Sequence, residues 1–442
     1  MAAVDASIYE IFTIESSDQS KTVDIREGVV GFIYYENIKA PSLTATAIVV
    51  NTGGTIRGDD GKMQGMYNGL PLRGGERVKI KIAGNSKTNK GLDFSENPTK
   101  YFHVASISNV TIDAAKEIFT LHLVTREAIT NQTVKVGKKF PTSQTISDSV
   151  KDIIKEYLKS EKVGSIDTTQ NKYGFIGNLK KPFSIITWLA SKSVAYNGPG
   201  RDSTAGFLFF ETQKGFNFKS IDNMIDQEPY EKNFVSNPGV VDSDDPNKDF
   251  KILKHTIDRN QDLLGKLQRG AYSSERYYIN PVSFAPDIRH FKSSDYMGQV
   301  SNLGDEKISL PIIDDTTTLG DLPTRIFVSM LDVGTIEKTT TDKGWNDPVE
   351  RNADPAKTQA QSMMRYNQLM SHVADITIPL NTNLTAGSVI RCIFPSIDAQ
   401  DKKSVDSQSS GLYMISELAH YFDGTGSYTK LKIVRDSSGR KW

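Results

Sequence analysis

The segment that decides the fold begins with Arg73-Gly74-Gly75-Glu76-Arg77-Val78-Lys79-Ile80-Lys81-Ile82. It continues through Tyr101-Phe102-His103-Val104-Ala105-Ser106-Ile107 and Leu121-His122-Leu123-Val124-Thr125-Arg126, so that it occupies residues 70–127. A glycine turn is therefore followed by three runs in which apolar and polar residues alternate. This period of two predicts half-buried antiparallel strands.

A similar pattern returns near the C-terminus, between residues 384 and 436. It reads Ala386-Gly387-Ser388-Val389-Ile390-Arg391-Cys392-Ile393-Phe394, then Leu412-Tyr413-Met414-Ile415-Ser416-Glu417-Leu418, then Leu431-Lys432-Ile433-Val434-Arg435-Asp436. The two segments share a glycine turn and three alternating runs, although few residues are identical. We predict that they are two copies of one β-module.

Size and composition narrow the class of protein. A chain of 442 residues is too long for one ordinary core, and about three domains are expected. The 53 basic and 53 acidic residues cancel, which gives no global electrostatic case for binding nucleic acid or an anionic membrane. A single cysteine excludes an intrachain disulfide. We find neither a secretion signal nor an apolar run of the roughly 20 residues that span a bilayer, and we expect a globular protein without membrane insertion.

The remaining sequence predicts a mainly β protein with α+β inserts. Apolar residues at helical spacing predict helices over residues 146–158, from Pro182 onward and over residues 356–372. Residues 84–97 are predicted to form a long exposed loop, and residues 222–249 a linker or surface loop. The predicted division is 1–127, a first β-barrel; 128–222, a small α+β domain; 223–280, a linker and the start of a second barrel region; 281–372, an irregular insert ending in a helix; and 373–442, the C-terminal part of the second barrel.

No residue pattern indicates an active site, a cofactor site or a metal site. None of the six histidines has the i, i+4 spacing of a helical zinc pair or a neighbouring cysteine. His103 and His122 fall in predicted strands of one module, where a shared site is geometrically feasible and ordinary strand packing is the simpler interpretation. Cys392 lies in a β run and is expected to be a small buried residue rather than a nucleophile. We therefore predict no catalytic, cofactor-binding or metal-binding residues.

The chain resembles the baseplate (tail) hub proteins of contractile-tailed bacteriophages. The resemblance covers most of the chain outside residues 291–350. It rests on four stretches, namely Gly31-Phe32-Ile33-Tyr34-Tyr35-Glu36-Asn37-Ile38 with Pro41; Gly69-Leu70-Pro71-Leu72-Arg73-Gly74-Gly75-Glu76-Arg77-Val78; residues 106–126 running into 146–158 and 182–194; and Arg365-Tyr366-Asn367 with Leu384-Thr385-Ala386-Gly387-Ser388-Val389-Ile390 and Phe394-Pro395.

This resemblance implies a homotrimer in which each subunit carries two barrels similar to the tail-tube protein. Three subunits would then present six modules to a six-fold tail tube on one side and dock to a trimeric spike on the other. Wedge and tape-measure proteins are the further partners that it suggests. DNA would pass through the central channel without sequence-specific binding. The expected location is the baseplate of the virion tail, after assembly in the host cytoplasm.

Four aromatic residues are predicted at interfaces of such an assembly: Tyr34, Tyr35, Phe207 and Phe209. Core packing is the alternative for each of them. The hairpin over residues 29–50 is predicted to pack between subunits or against the tube. Two other functions stay open at this point, a hub or spike component of a related contractile injection or secretion system, and a tail-associated cell-wall hydrolase.

Overall fold

The fold was analysed in a computed structural model. It describes residues 4–54, 56–57, 61–70, 72–113, 116–196, 204–236, 247–258, 262–296, 298–306, 310, 312–314, 316–336, 342–396 and 405–439. Within these ranges, no helix has both the length and the hydropathy needed to cross a bilayer.

Strands dominate the architecture. They are β1 (Tyr9–Glu15), β2 (Thr22–Asp24), β3 (Val29–Asn37), β4 (Thr44–Thr52), β5 (Ile56–Arg57), β6 (Met63–Gln64), β7 (Arg77–Ala83), β8 (Gly91–Asp93), β9 (Phe102–Asp113), β10 (Lys116–Thr125), β11 (Lys139–Phe140), β12 (Val163–Ile166), β13 (Phe175–Ile176), β14 (Phe207–Thr212), β15 (Gly215–Ser220), β16 (Asn233–Ser236), β17 (Lys251–Ile252), β18 (Lys254–Asp258), β19 (Ser273–Ile279), β20 (Pro286–Lys292), β21 (Ile326–Met330), β22 (His372–Pro379), β23 (Val389–Ile393), β24 (Gly411–Asp423) and β25 (Ser427–Arg435).

The helices are fewer and mostly short. They are α1 (Met66–Gly69), α2 (Arg126–Thr133), α3 (Ile146–Asp152), α4 (Pro182–Ala190), α5 (Ile221–Ile225), α6 (Leu263–Gln268), α7 (Asp342–Arg351) and α8 (Pro355–Gln368), with a π-helical turn (Ile153–Tyr157) after α3. The three helices predicted from apolar spacing are thus confirmed as α3 with its π-helical turn, α4 and α8. Pro182 and Pro355 each occupy a first helical position, where the missing N–H of proline has no cost.

Fifteen strands form one sheet that runs through both copies of the predicted repeat. The first module comprises β1 to β4 and β7 to β10, and the second comprises β16 to β18 and β22 to β25. Residues 417–423 of β24 pair antiparallel with residues 31–37 of β3, and this pairing, which we call the internal seam, joins the modules. The chain therefore has the mainly β fold that its sequence predicts.

The two modules share one strand order. In the first module it is β7-β9-β10-β4-β3, and in the second it is β23-β24-β25-β22-β18, with every neighbouring pair antiparallel. Leu121 of β10 lies opposite Ala47 of β4, and Leu431 of β25 lies opposite Ile376 of β22. Leu121 and Leu431, which we call the matched leucines, therefore occupy corresponding positions.

Glycine turns and bulges also coincide in the two modules. The N–H of Gly75 donates to the carbonyl of Val104 at 2.7 Å, and the N–H of Gly387 donates to that of Ile415 at 2.8 Å. Both glycines have a positive φ, +94° and +84°, a conformation that a side chain disfavours. A register shift follows Val104 in β9 and Ile415 in β24, where each of these strands has one extra residue, Ala105 or Ser416, opposite two consecutive residues of its partner strand β10 or β25. The predicted duplication is therefore confirmed by the strand pairing.

One hydrophobic core serves both modules, because the internal seam brings their inner faces together. Phe32 of β3 and Phe422 of β24 are both buried, and their ring centroids are 6.1 Å apart across the seam. Cys392 is buried in the second module, as predicted. A separate core lies among α3, α4, β14 and β15.

Three expectations need correction. Residues 84–97 are not simply an exposed loop, because they contain β8 and the buried Asn89, whose amide donates to Ser7 and Asn85. Residues 222–249 begin inside α5 and include β16, while 237–246 lie outside the described residues. The insert 281–372 is more regular than predicted, since β20 and β21 flank β19 in a three-stranded sheet. Strand β3 of the hairpin 29–50 pairs with β24 of the second module of its own chain, and packing of the hairpin between subunits or against the tube stays a prediction. The five-part division into domains stays a prediction.

Candidate functional site

The most extensive candidate site is the face of the large sheet that points away from the core. Side chains along a strand alternate between faces, so Phe32 and Tyr34 of β3 enter the core while Ile33 and Tyr35 lie on the other face. The same alternation in β4, β18, β22, β24 and β25 builds a continuous surface across both modules. We call this surface the shared polar face.

The shared polar face carries charged side chains of both signs. One row of paired residues crosses five strands and reads Thr256, Asp375, Lys432, Glu417 and Asn37. Lys432 Nζ lies 3.8 Å from Glu417 Oε1 in this row. The neighbouring row reads Lys254, Thr377, Lys430, Ala419, Tyr35 and Thr44. Because Asp375 and Glu417 lie beside these lysines, the described part of this face lacks the continuous basic stripe of a nucleic-acid binding surface.

A broad cleft of about 750 Å³ opens on the shared polar face, with walls from both modules. Tyr421 lines this cleft and stacks in parallel on Tyr428, with ring centroids 4.7 Å apart. Lys430 Nζ lies 4.6 Å from the centroid of the Tyr421 ring, within range of a cation–π interaction. The cleft is therefore lined by a mixture of hydroxyl, aromatic, ionic and aliphatic groups.

Glu36 is a buried carboxylate at the end of β3, on the core side of the sheet. It accepts hydrogen bonds from Tyr34 Oη at 2.7 Å, from the N–H of Gln213 at 2.8 Å and from the N–H of Ala386 at 2.7 Å. Burial raises the pKa of Glu36 to about 7, although these three donors and the charge of Lys214 oppose the rise. Glu36 thus ties together the first module, the β14–β15 turn and the turn before β23.

Glu211 of β14 forms a second buried junction with the first module. Its Oε2 accepts hydrogen bonds from the N–H of Leu43 and from Thr125 Oγ1, both at 3.1 Å, and Lys162 Nζ lies 3.7 Å from its Oε1. Burial raises the pKa of Glu211 to about 7 against the attraction of Lys162. Lys162 binds Glu127 more closely, at 2.8 Å. Burial alone would raise the pKa of Glu127, but Lys162 outweighs it and the net pKa is lowered.

Arg365 of α8 is, with Arg435, among the largest fully buried side chains of the described residues, and it acts as a clamp between distant segments. Its guanidinium donates to Asp222 Oδ1 of α5 at 2.7 Å, to Asp436 Oδ2 after β25 at 3.3 Å and to the carbonyl of Ser301 at 3.0 Å. Paired buried charges of this kind are held by their partners, and removal of one partner is costly.

The aromatic residues predicted at interfaces have different surroundings. Tyr34, Phe207 and Phe209 are buried within the chain, which is the alternative that the sequence left open for them. Phe207 and Phe209 pack on Phe218 and Phe216 of β15, respectively. Tyr35 alone is half-buried on the shared polar face, and its interface role stays a prediction.

His103 and His122 lie on the neighbouring strands β9 and β10. His122 Nε2 is 2.8 Å from Ser108 Oγ, and burial lowers the pKa of His103. No cluster of three or more histidine, cysteine, aspartate or glutamate residues suited to a metal ion occurs in the described part of the chain. Burial raises the pKa of the Cys392 thiol, which opposes formation of a reactive thiolate.

Sequence reasoning missed the buried charges at these junctions. Glu36 carried a signal, because the period of two that places Phe32 and Tyr34 in the core places Glu36 on the same side. Arg365 belonged to a quoted motif, but its burial depends on partners 71 and 143 residues away in the sequence.

Comparison with known proteins gives one sequence relative and structural neighbours of the same kind. No protein-family model matches the chain. A probable baseplate hub protein, gp334 of Vibrio phage KVP40, is 21% identical over 299 residues, which cover 66% of this chain and 66% of that protein. The match therefore spans slightly less than two thirds of that relative.

Two solved structures share the fold over nearly their whole lengths. The 43 kDa tail protein of prophage MuSo2 from Shewanella oneidensis has a TM-score of 0.50 at 11% identity, with 97% of this chain and 98% of that chain covered. The tail protein from Neisseria meningitidis MC58 has a TM-score of 0.51 at 10% identity, with 97% of each chain covered. The resemblance to phage tail hub proteins is confirmed by the sequence similarity to gp334, and the chain shares its fold with these two tail proteins.

Proposed function

We propose that this chain is a structural hub protein of a virion tail baseplate, where three copies form a ring that joins a six-fold tail tube to a three-fold spike. The observation that carries the proposal is the duplication within one chain, in which two modules with the same strand order and the same bulge are fused edge to edge. Three such chains supply six similar modules, so a trimer can meet a six-fold partner. The similarity to a baseplate hub protein and to two tail proteins supports the same role and the same location in the virion.

The central channel of this ring would be lined by the shared polar face. Alternating lysine and carboxylate side chains, as in the row from Asp375 to Glu417, leave no uniform positive charge to hold phosphates. Affinity for DNA rises with the number of phosphates that basic residues neutralise. A mixed face therefore suits a wall past which DNA moves without being retained, or on which a tape-measure protein rests before ejection.

The two rims of the ring would contact different partners. One rim docks to the tail tube protein and the other to the trimeric spike protein, and wedge proteins contact the outside. The structural role needs no catalytic residue. The buried carboxylates Glu36 and Glu211 are engaged with backbone N–H groups at module junctions, an arrangement that stabilises turns.

The mass of the purified protein tests the trimer directly. We expect light scattering to give three times the chain mass of 49.0 kDa, and cryo-EM of the protein alone to show a three-fold ring with nearly six-fold inner symmetry. We expect no release of soluble fragments from peptidoglycan. A protein that remains monomeric at all accessible concentrations would contradict the ring, and peptidoglycan cleavage that Glu211→Gln abolishes would favour the hydrolase.

The predicted interface role of Tyr35 has its own test. Tyr35→Asp places a charge on a half-buried side chain of the shared polar face, and we expect weaker trimerisation or weaker docking to the tube. Thr44→Asp, at the position directly opposite Tyr35 on β4, is the matched control for added charge on an exposed side chain. If light scattering and negative-stain imaging show Tyr35→Asp trimers docked normally to tubes, Tyr35 has no interface role.

A further inference from the structure

Half of strand β9 has an open edge. Its first residues, Phe102 and His103, pair with β7, but residues 106–112 pair only with β10 among the described residues. This half is exposed, and it carries the large apolar side chains Val110 and Ile112, which are 40% and 61% exposed. Exposed strand edges with apolar side chains are sites at which another strand can add.

Strand β18 has the complementary open edge. It pairs with β22 on one side, and on its other side no strand lies within the described ranges. By strand order, β18 of the second module corresponds to β3 of the first, and β9 of the first corresponds to β24 of the second. The pair β3–β24 forms the internal seam. The two open edges are therefore the counterparts of the two edges that already join the modules.

We propose that neighbouring copies of this chain join through β18 of one copy and residues 106–113 of β9 of the next, paired antiparallel as in the internal seam. This inference rests on the proposed trimeric hub and names the surface that closes its ring. The contact is heterologous, with a different edge from each copy, and such contacts generate closed rings when the rotation between copies closes.

The register follows from equivalent residues. Thr111 lies opposite Ile118 of β10, and Tyr421 lies opposite Tyr428 of β25. Ile118 and Tyr428 each lie three residues before one of the matched leucines, so they occupy corresponding positions. Thr111 therefore corresponds to Tyr421. Strand β9 has one extra residue between Ser108 and Thr111, where Asn109 has a φ of +53°. The correspondence is taken through β10 and is therefore unaffected by this extra residue.

The same reasoning places β18. Phe32 of β3 lies opposite Ala47, and His255 of β18 lies opposite Ile376. Because Ala47 and Ile376 are the partners of the matched leucines, Phe32 corresponds to His255. The next residues, Ile33 and Thr256, therefore also correspond. In the internal seam Tyr421 lies opposite Ile33. Between copies, Thr111 therefore lies opposite Thr256, and the next pairs follow in antiparallel order.

Two of these pairs support the register, one through burial and one through charge. Ile112 lies opposite His255, at the position of Phe422, whose 1% exposure in the internal seam shows that this place becomes core when the seam forms. Asp113 lies opposite Lys254, so a negative side chain meets a positive one, which is favourable for cross-strand neighbours. The exposed Ile112 is thus explained as a side chain that the next copy covers.

A disulfide between copies tests the register. The double variant Thr111→Cys with Thr256→Cys places two thiols directly opposite each other, where Cβ atoms of antiparallel strands lie about 4.5–5.5 Å apart, close to the separation in disulfides. The only native cysteine, Cys392, is buried and gives no background. After mild oxidation we expect a covalent trimer on a non-reducing gel, which a reductant returns to single chains.

Three controls make the result specific. Each single variant alone should form no covalent oligomer through the seam. An equimolar mixture of the two single variants, exchanged before oxidation, should stop at covalent dimers, because each mixed trimer contains at most one complete pair. The variant Thr111→Cys with Lys254→Cys, displaced by two residues, should cross-link at least tenfold more slowly. Both substituted threonines are exposed, and circular dichroism checks that the fold is retained.

The outcomes separate this inference from the proposed function. A trimer by light scattering that forms the covalent trimer in the stated register supports both. A trimer that does not cross-link, or that cross-links equally well in the displaced register, contradicts the pairing of β18 with β9 between copies but not the trimeric hub. A monomer under all conditions overturns the hub and the seam together.

Discussion

Glutamine in place of both Glu36 and Glu211 should remove a pH dependence of stability. Burial raises the pKa of each carboxyl from an ordinary value of 4.5 to about 7. At a pH between 4.5 and 7, the folded chain therefore holds one proton on each of the two carboxyls, and the unfolded chain has released both. The stability linked to these protons is therefore complete below pH 4.5 and is lost as the pH rises through 7.

The size of the effect follows from the two pKa values. A difference of one pKa unit corresponds to about 1.4 kcal/mol. The difference between 4.5 and about 7 corresponds to about 3 kcal/mol for each carboxyl, most of it between pH 5 and pH 8. For the two groups together, the free energy of unfolding should fall by about 5 kcal/mol over this range if they titrate independently.

Urea unfolding at pH 5, 6, 7 and 8, followed by tryptophan fluorescence, measures this loss. We expect the urea midpoint of the unmodified protein to fall with rising pH and that of Glu36→Gln with Glu211→Gln to be nearly constant. Glu127→Gln is the matched control, because the pKa of Glu127 is lowered and its contribution is lost only as the pH falls. A flat midpoint in the unmodified protein, or an unchanged slope in the double variant, would refute the assignment of the slope to these carboxyls.

Two further predictions concern Arg365 and a comparison of the internal seam with the contact proposed between copies. Arg365→Met leaves Asp222 and Asp436 buried without their cation and should lower the free energy of unfolding by about 3–5 kcal/mol. Calorimetry should show this as a lower unfolding temperature, and Arg365→Lys should recover part of the loss. Phe422→Ala should cost about 3–5 kcal/mol because its ring is in the merged core. Ile112→Ala should change the stability of the single chain by less than about 0.5 kcal/mol, yet raise the concentration at which trimers dissociate in light scattering. Equal losses of chain stability in these last two variants would contradict their different burial.

The repeat was predictable because its signals are local. Gly75 and Gly387 each begin an alternating run, and a period of two is visible in any half-buried strand. Three helices were predictable for the same reason, since Pro182 and the apolar spacing around it belong to one short segment. Segments of this kind carry their structural information within about ten residues.

The joining of the modules was not predictable in this way. The pairing of Glu417 with Asn37 links residues 380 positions apart, and alternation on each strand is equally compatible with an edge facing another subunit. Composition was a poor guide at Asn89, whose buried side-chain amide donates to Ser7, 82 residues away, as well as to the nearby Asn85. The insert was predicted to be irregular because residues 291–350 are polar and rich in threonine, with interspersed glycine, proline and aspartate, whereas β21 forms there by pairing with β19. In each case the decisive partner lies far away in the sequence or outside the segment.

The internal seam also has a mechanical consequence. The 13-residue strand β24 runs through the second module and along β3 without a break, so both modules share one stiff hydrogen-bonded element. Sliding one module along the other would shear the backbone hydrogen bonds of the seam together, instead of peeling them one by one. A load applied to one module would therefore pass to the other with little bending at a hinge, and each chain would respond to a sudden axial force as a single rigid body.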